Sequence, residues 1–328
     1  MTNEPTPGNI GTRNVARWLK RAGFAALGMV GSYLTLCVGA AFPLASHLIR
    51  PRLKRLTQLD SPHLRRFLAD RGVAFEEITF RSFDGVRLNG WWFDAGADRP
   101  TVIALHGVTK NRTDMVRFAL ALGAARINVL LFDGRGHGKS EGRFVTYGFY
   151  ERRDVEAAIE YVVAVKGVNE LRVGLAGISM GAAITLQVAA ANRRVSAIWT
   201  DSPFASLSRV SMDRLRSWTR MPERALQPVM WVAMKVAEHR GRFEFRAVDP
   251  LALASRIACP VYLVHGDKDA IVGVDHSRHI FDALASTEKH LWVIPGVAHG
   301  RGFRRVTAEY AERLVAFFGH AFEATTAS

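Results

Sequence analysis

Gly177-Ile178-Ser179-Met180-Gly181, preceded by the apolar run Leu171 to Ala176 and followed by the helix-like run Ala182 to Ala191, is the stretch on which the fold turns. A serine at a strand-to-helix crossing occupies a sharp turn that lifts its hydroxyl above a sheet. Side chains in place of the two glycines would crowd the neighbouring strand and helix. The pattern is short, and the rest of the chain gives it meaning.

Outward from this turn, short apolar runs suited to strands buried on both faces recur at Thr101 to Leu105, Ile127 to Phe132, Leu171 to Ala176, Val195 to Thr200, Val261 to Val264 and Leu291 to Ile294. Helical patterns at about 112–125, 150–165, 182–191, 274–285 and 307–318 separate most of them. Ahead of these, Val73 to Ser82 and Val86 to Phe93 flank Asp84-Gly85, a strong hairpin signal. Two antiparallel leading strands followed by β-α-β units predict one α/β domain. Its sheet has eight mostly parallel strands, with helices on both faces. Residues 203–256 break the rhythm with helix-forming stretches rich in Met and Trp, including Trp218, Met221, Val229, Met230, Trp231 and Met234. They read as a small helical lid, with most of these apolar residues expected to pack it onto the core.

No Lys, Arg, Asp or Glu occurs in the 28 positions from Ala22 to Ile49. A bilayer-spanning helix needs about 20 such residues, and the run exceeds the roughly 7 to 15 of a signal-peptide core. The expected organisation is a basic tail over 1–21, a transmembrane anchor over 22–49, a basic linker over 50–72 and the α/β domain over 73–328, with its helical lid insertion at about 203–256. Pro43 is a place where the helix is expected to kink or stop. Arg13, Arg17, Lys20 and Arg21 precede the run, while Arg50, Arg52, Lys54 and Arg55 follow it. The positive-inside rule leans towards a cytoplasmic α/β domain, although both flanks are basic. Every expected strand lies beyond Ile49, so a chain without residues 1–49 is expected to stay soluble.

The net charge of +14 comes from scattered basic residues without an RNA-binding aromatic signature or zinc-finger spacing. Attraction to anionic lipid accounts for it, and no nucleic-acid partner is expected. The two cysteines, Cys37 and Cys259, make neither a disulfide framework nor a metal cluster. Gly138-Lys139-Ser140 imitates the end of a P-loop, but the glycine the motif requires at position 133 is Asp133. No metal and no cofactor are expected.

From about Val73 to His320 the chain resembles an α/β-hydrolase of the serine-esterase, thioesterase and peptidase type. The matching elements come in the family's order. They are His106-Gly107, the turn Asp133-Gly134-Arg135-Gly136-His137-Gly138, the serine turn, His265-Gly266-Asp267-Lys268-Asp269, and Gly296-Val297-Ala298-His299-Gly300. The chain is similar to the membrane-anchored Bem46-like hydrolases. An alcohol is a poor nucleophile when protonated, so Ser179 requires a base, and the base requires an acid to orient it. The family's order of serine, acid, histidine implies Ser179, Asp269 and His299, with Asp201 after the sixth strand as the alternative acid. Asp267 reads as a loop cap, and His106 as an organiser of its loop. The resemblance places oxyanion donors at the backbone N–H groups of Val108 and Met180.

The expected activity is therefore that of a membrane-anchored serine hydrolase cleaving a carboxylic ester or thioester through an acyl-serine. Its substrate is a small molecule, a lipid or an acylated partner. Peptidase or acyltransferase chemistry on the same triad is the enzymatic alternative. A membrane-tethered interaction protein built on an inactive hydrolase fold is the non-enzymatic one.

Overall fold

The computed structural model describes residues 10–51 and 62–326. Arg13, Arg52, Lys54 and Arg55, which the sequence reading places on the flanks of the apolar run, lie outside the residues whose side chains are described. In chain order the elements are α1 (Ile10–Ile49), α2 (Pro62–Ala69), β1 (Glu76–Arg81), β2 (Arg87–Phe93), β3 (Thr101–Leu105), α3 (Val116–Ala124), β4 (Asn128–Phe132) and α4 (Glu151–Ala164). They continue with β5 (Val173–Ile178), α5 (Met180–Ala189), β6 (Val195–Asp201), α6 (Leu207–Thr219), α7 (Glu223–Gly241) and α8 (Pro250–Leu253). The last are β7 (Val261–Gly266), α9 (Asp275–Ala283), β8 (Lys289–Ile294), α10 (Gly302–Arg305) and α11 (Thr307–Thr326).

One eight-stranded sheet results, in the order β1-β2-β4-β3-β5-β6-β7-β8. β1 and β2 are antiparallel to their neighbours, and β3 to β8 run parallel. The hairpin turns at Gly85, whose φ of +83° is the left-handed conformation that a glycine adopts without strain. Because alternate residues of a strand face opposite ways, β3 feeds two cores. Ile103 and Leu105 join Val155, Ile159, Ile184 and Ile280 beneath α4, α5 and α9. Val102 and Ala104 join Phe118, Leu122, Tyr310 and Phe318 beneath α3 and α11. With both faces covered, the strands can be apolar at every position, and β3, β4 and β5 are buried throughout.

The apolar N-terminal run forms a single helix that continues through Pro43 to Ile49. Its residues from Arg17 to Ile49 are long and apolar enough to cross a membrane. Its C-terminal part is also built into the domain. Cys37, Ala41, Ala45 and Ile49, spaced four apart on one helix face, are all buried. The last three pack in one cluster with Ala183 of α5, Phe204, Phe245 and Ala233 and Ala237 of α7. Ile49 O accepts from Val145 N–H at 3.0 Å, and Leu48 O accepts from the Tyr147 hydroxyl at 2.9 Å.

Ile49 is thus not the boundary between a detachable anchor and the catalytic domain, and the expectation for a chain lacking residues 1–49 changes. That deletion should strip a buried isoleucine, worth about 1.5–3 kcal/mol, and orphan Val145 N–H, worth about 1–3 kcal/mol more. We expect it to lower the melting temperature by roughly 10 °C. A deletion ending at Thr35 leaves these contacts intact and should melt within about 2 °C of the full chain. Differential scanning calorimetry of both truncations checks this, and equal melting temperatures would reject the docked role of residues 37–49.

Candidate active site

Ser179 occupies the crossing from β5 to α5 with φ +57° and ψ −112°, a conformation that a non-glycine residue holds only when its surroundings impose it. The surroundings do so through close packing. A β-carbon on Gly177 would lie 2.3 Å from the Gly181 carbonyl carbon, and one on Gly181 would lie 2.2 Å from Leu105 O. Strand and helix therefore approach too closely for any side chain at either position. Ser179 N–H donates to Asp201 O at 2.8 Å, which fixes the turn against β6.

His299 arrives on the loop after β8 and Asp269 on the loop after β7. Ser179 Oγ lies 2.8 Å from His299 Nε2, and His299 Nδ1 lies 2.6 Å from Asp269 Oδ2. The structure thus brings the three residues singled out in the sequence into one hydrogen-bonded chain. The Asp269 carboxylate is wholly buried, whereas the imidazole keeps 16% of its surface exposed, so the chain is closed to solvent at its acid end.

Asp269 is well provided with donors. Its Oδ1 accepts from Ile271 N–H at 2.8 Å and Val272 N–H at 2.9 Å, and its Oδ2 also lies 3.2 Å from His265 Nε2. Burial pushes the carboxyl upward, but the hydrogen bonds from His265 and His299, the His299 charge and the Val272 amide outweigh it. Asp269 is held well below the usual carboxylate range. His265 is a residue whose part the sequence reading missed. Its Nε2 lies 2.8 Å from Val272 O, so that nitrogen carries the proton, and Nδ1 accepts from Ser277 Oγ at 2.7 Å. Its position in the His-Gly-x-x-Asp motif, four residues ahead of the acid, was the available signal.

Asp201, the alternative acid, lies nearby with its carboxylate engaged elsewhere. Ser202 Oγ donates to Oδ1 at 2.8 Å, and Tyr310 Oη donates to Oδ2 at 3.0 Å. Ser202 Oγ in turn accepts from Gly300 N–H at 3.2 Å, which ties the end of β6 to the loop carrying His299. Asp267 caps the same loop by accepting from Gly296 N–H at 2.7 Å.

The loop after β3 forms the other wall. Gly107 borders Ser179, since a β-carbon there would stand 3.5 Å from the serine Cβ. His137 Nε2 lies 2.5 Å from Val108 O and so fixes the peptide that follows Val108. Met180 begins α5, where backbone N–H groups have no partner within the helix. Behind this wall, Asp133 accepts from Arg112 N–H at 2.9 Å, Arg112 Nη1 at 3.0 Å and Lys139 N–H at 2.9 Å. A β-carbon on Gly138 would fall 2.0 Å from Asp133 Oδ2, so the glycine-rich turn is folded around a carboxylate, leaving no phosphate cradle. Ser140 Oγ is committed to Asp133 O at 2.6 Å. Among the described residues no group of His, Cys, Asp and Glu could hold a metal ion.

His106 organises its loop, donating from Nδ1 to Gly107 O at 2.9 Å and accepting from Gly134 N–H at Nε2, 3.0 Å away. Burial, then the neighbouring His137, lowers its pKa to about 3. An unfolded histidine takes a proton near pH 6.5, so between that value and about 3 the unfolded chain binds the extra proton. Stability is expected to fall as the pH drops through this window. Nitrogen-15 NMR at pH 5 should find His106 neutral, and a protonated His106 in the folded protein would refute the assignment.

The segment expected as a lid forms α6, α7 and α8. Val229, Met230 and Met234 pack inward as expected, but Trp218, Met221 and Trp231 are exposed by 53%, 44% and 63%. A groove of about 650 Å³ lies between α6 and α7, lined by Met212, Met230, Trp231 and Met234 among others. Its lining includes none of Ser179, Asp269 and His299, so it is not a chamber over the serine.

Comparison with known proteins agrees with this architecture. The chain is 30% identical over 228 residues to Rv2307c, an uncharacterized protein of Mycobacterium tuberculosis, covering 69% of this chain and 73% of that one. The family described as serine aminopeptidase, S33, matches residues 96–250. The chain belongs to the α/β-hydrolase family. This α/β-hydrolase is also 24% identical over 253 residues to alpha/beta hydrolase domain-containing protein 17C of Xenopus tropicalis, covering 73% and 72% of the two chains. Among solved structures, the Pyrococcus furiosus esterase Pf2001 superposes with a TM-score of 0.65 at 25% identity, over 77% of this chain and 95% of the esterase.

Proposed function

We propose that this α/β-hydrolase is a membrane-anchored serine hydrolase, of the Bem46-like kind, that cleaves a carboxylic ester or thioester through an acyl-serine intermediate. The observation that carries the reading is the chain Ser179 Oγ, His299 Nε2, His299 Nδ1, Asp269 Oδ2 at 2.8 and 2.6 Å, set on a strained turn. With Nδ1–H directed at Asp269, the Nε2 lone pair faces the serine hydroxyl. Ser179 Oγ attacks the substrate carbonyl carbon while His299 takes its proton, and Asp269 stabilises the imidazolium. The negative charge that develops on the carbonyl oxygen lies against the N–H groups of Val108 and Met180. His299 then protonates the departing alkoxide or thiolate. Water, deprotonated by the same imidazole, attacks the acyl carbon and releases the carboxylic acid and free Ser179.

The esterase activity of Pf2001 supports the ester reading. The exposed apolar part of α1 supports a membrane anchor. Incubation with a fluorophosphonate, followed by turnover of matched short-chain esters, thioesters and anilides, tests the proposal. We expect labelling at Ser179 and faster turnover of ester and thioester than of anilide. Absence of labelling would reject the acyl-serine route and favour a tethered protein without catalysis. Turnover of the anilide alone would transfer the reading to a peptidase.

A further inference from the structure

His265 has no exposed surface, and its ring ties the end of β7 to the loop of the acid and to α9. Nε2 lies 2.8 Å from Val272 O and 3.2 Å from Asp269 Oδ2, both in the loop after β7, and Nδ1 lies 2.7 Å from Ser277 Oγ on α9. A carbonyl oxygen only accepts, so the proton is on Nε2, where Val272 O and Asp269 Oδ2 share it. Nδ1 is then the acceptor and the Ser277 hydroxyl the donor. Ser277 is as deeply buried as His265, and the residue before it pins the helix: His276 Nδ1 accepts from Ala205 N–H at 3.0 Å.

The consequence falls on Asp269. Its Oδ1 is fixed by the amides of Ile271 and Val272, but the last torsion of an aspartate is soft, and a carboxylate held through one oxygen is free to turn the other out of line. Oδ2 is the oxygen that meets His299 Nδ1 at 2.6 Å. His299 is a poor fixed point for it, because that imidazole is partly exposed and gains and loses a proton during the reaction. The buried His265 is the steadier partner. With its proton on Nδ1 instead, the Nε2 lone pair would face two oxygen acceptors and push Oδ2 away from His299. The hydrogen bond at one ring nitrogen selects which nitrogen carries the proton, so donation from Ser277 favours the form that holds the acid. The loop has further bonds of its own, from Asp269 N–H to Gly266 O at 3.3 Å and from Lys268 N–H to Val297 O at 3.0 Å, which do not depend on the His265 ring.

We propose that His265 and Ser277 are positioning residues of the reaction: Ser277 sets the His265 tautomer, and His265 Nε2–H holds Asp269 Oδ2 in line with His299 Nδ1. The proposal rests on the acyl-serine reading and extends its hydrogen-bonded chain to Ser179, His299, Asp269, His265 and Ser277. Neither added residue meets the substrate. Both act through the carboxylate.

Steady-state turnover of a short-chain ester by the full chain, with melting temperatures recorded for each variant, tests this. His265→Leu should lower kcat by about 10²-fold, the loss that a displacement of about 1 Å in a catalytic group produces, with KM changed by less than about threefold. His265→Gln should recover most of that loss, because its amide can donate to the same two oxygens. Ser277→Ala should lower kcat by about tenfold, a part of the loss, since Val272 O still favours the proton on Nε2. In the Asp269→Asn background His265→Leu should cost less than about threefold, as residues that act through one group are not additive. A residue that only packs would multiply the two losses instead. A folded His265→Leu enzyme with kcat within about threefold of wild type overturns the proposal, and so does a loss that persists in full beside Asp269→Asn. Should His265→Leu not fold, Ser277→Ala, which removes a single oxygen, decides the matter, and an unchanged kcat there overturns the proposal. A wild-type chain that fluorophosphonate does not label overturns the acyl-serine reading and the proposal with it, whereas a labelled wild type with indifferent variants overturns the proposal alone.

Discussion

Replacement of Ser179 by alanine is expected to remove fluorophosphonate labelling completely and to lower kcat by about 10⁶-fold, the scale of loss when a serine triad is deprived of its nucleophile. Folding should survive, because alanine keeps the β-carbon and the backbone of Ser179, with its φ of +57°, is held by Gly177, Gly181 and the hydrogen bond to Asp201 O. The lost interaction within the folded state is one partly exposed hydrogen bond to His299, worth about 1 kcal/mol. A variant that melts within a few degrees of wild type and is inert identifies the nucleophile. Retained turnover in a purified sample would move the chemistry elsewhere. Ser140 and Ser202, whose hydroxyls donate to Asp133 O and Asp201 Oδ1, should remain unlabelled.

Much of the fold was legible because its strands are short, apolar and separated by helical periods. All eight expected strands are present, with ends displaced by up to three residues, as where the reading from Val73 gives way to a strand beginning at Glu76. The antiparallel start at β1 and β2 followed from one turn, Asp84-Gly85. The relation of α1 to the rest did not follow. Its apolar run satisfies the requirements of a bilayer helix, and only tertiary packing reveals that Cys37, Ala41, Ala45 and Ile49 face protein. Small residues at four-residue spacing allow close helix approach, but a uniformly apolar helix has no polar face to contrast with them. Which apolar residues of the helical segment pack inward was legible only in part, for a related reason. Apolar composition alone cannot distinguish Met230, which is buried, from Trp231, which is 63% exposed.

The site was legible to the extent that chain order and motif encode it. Serine, acid and histidine stand in separate loops, and their meeting within 2.8 Å depends on the parallel order β5-β6-β7-β8 bringing the C-terminal ends of these strands together. The groups that support them were less visible. Tyr310 lies 109 residues from Asp201 and acts through a hydrogen bond that no local pattern announces. His265 was quoted within a motif, but its Nε2 contact with Asp269 depends on Ser277 and Val272 fixing the ring, and both lie further along the chain.

The same contrast between Asp269 and Asp201 yields the second large effect. Asp269→Asn should lower kcat by about 10⁴-fold, the loss expected when the histidine of a triad loses both its correct tautomer and its charge support. The neutral amide can turn its NH₂ towards His299 Nδ1, which would place the imidazole proton on Nε2, facing Ser179 Oγ. The base then has no lone pair for the serine. Asp201→Asn meets a different environment. Its carboxylate receives the hydroxyls of Ser202 and Tyr310, and Tyr310 Oη is already an acceptor for Trp199 Nε1 at 2.8 Å. An amide NH₂ would confront one of those donors, which costs about 1–3 kcal/mol in a buried site. The cost falls on stability, and the His299 loop feels it only through Ser202 and Gly300. Asp201→Asn is therefore expected to melt several degrees lower yet retain kcat within about tenfold of wild type once the folded fraction is matched. The rate of fluorophosphonate labelling should rank the variants the same way, since it requires His299 to accept the serine proton. If Asp201→Asn were the slower of two equally folded variants, the acid would belong to the end of β6 and the hydrogen bond between His299 and Asp269 would be structural.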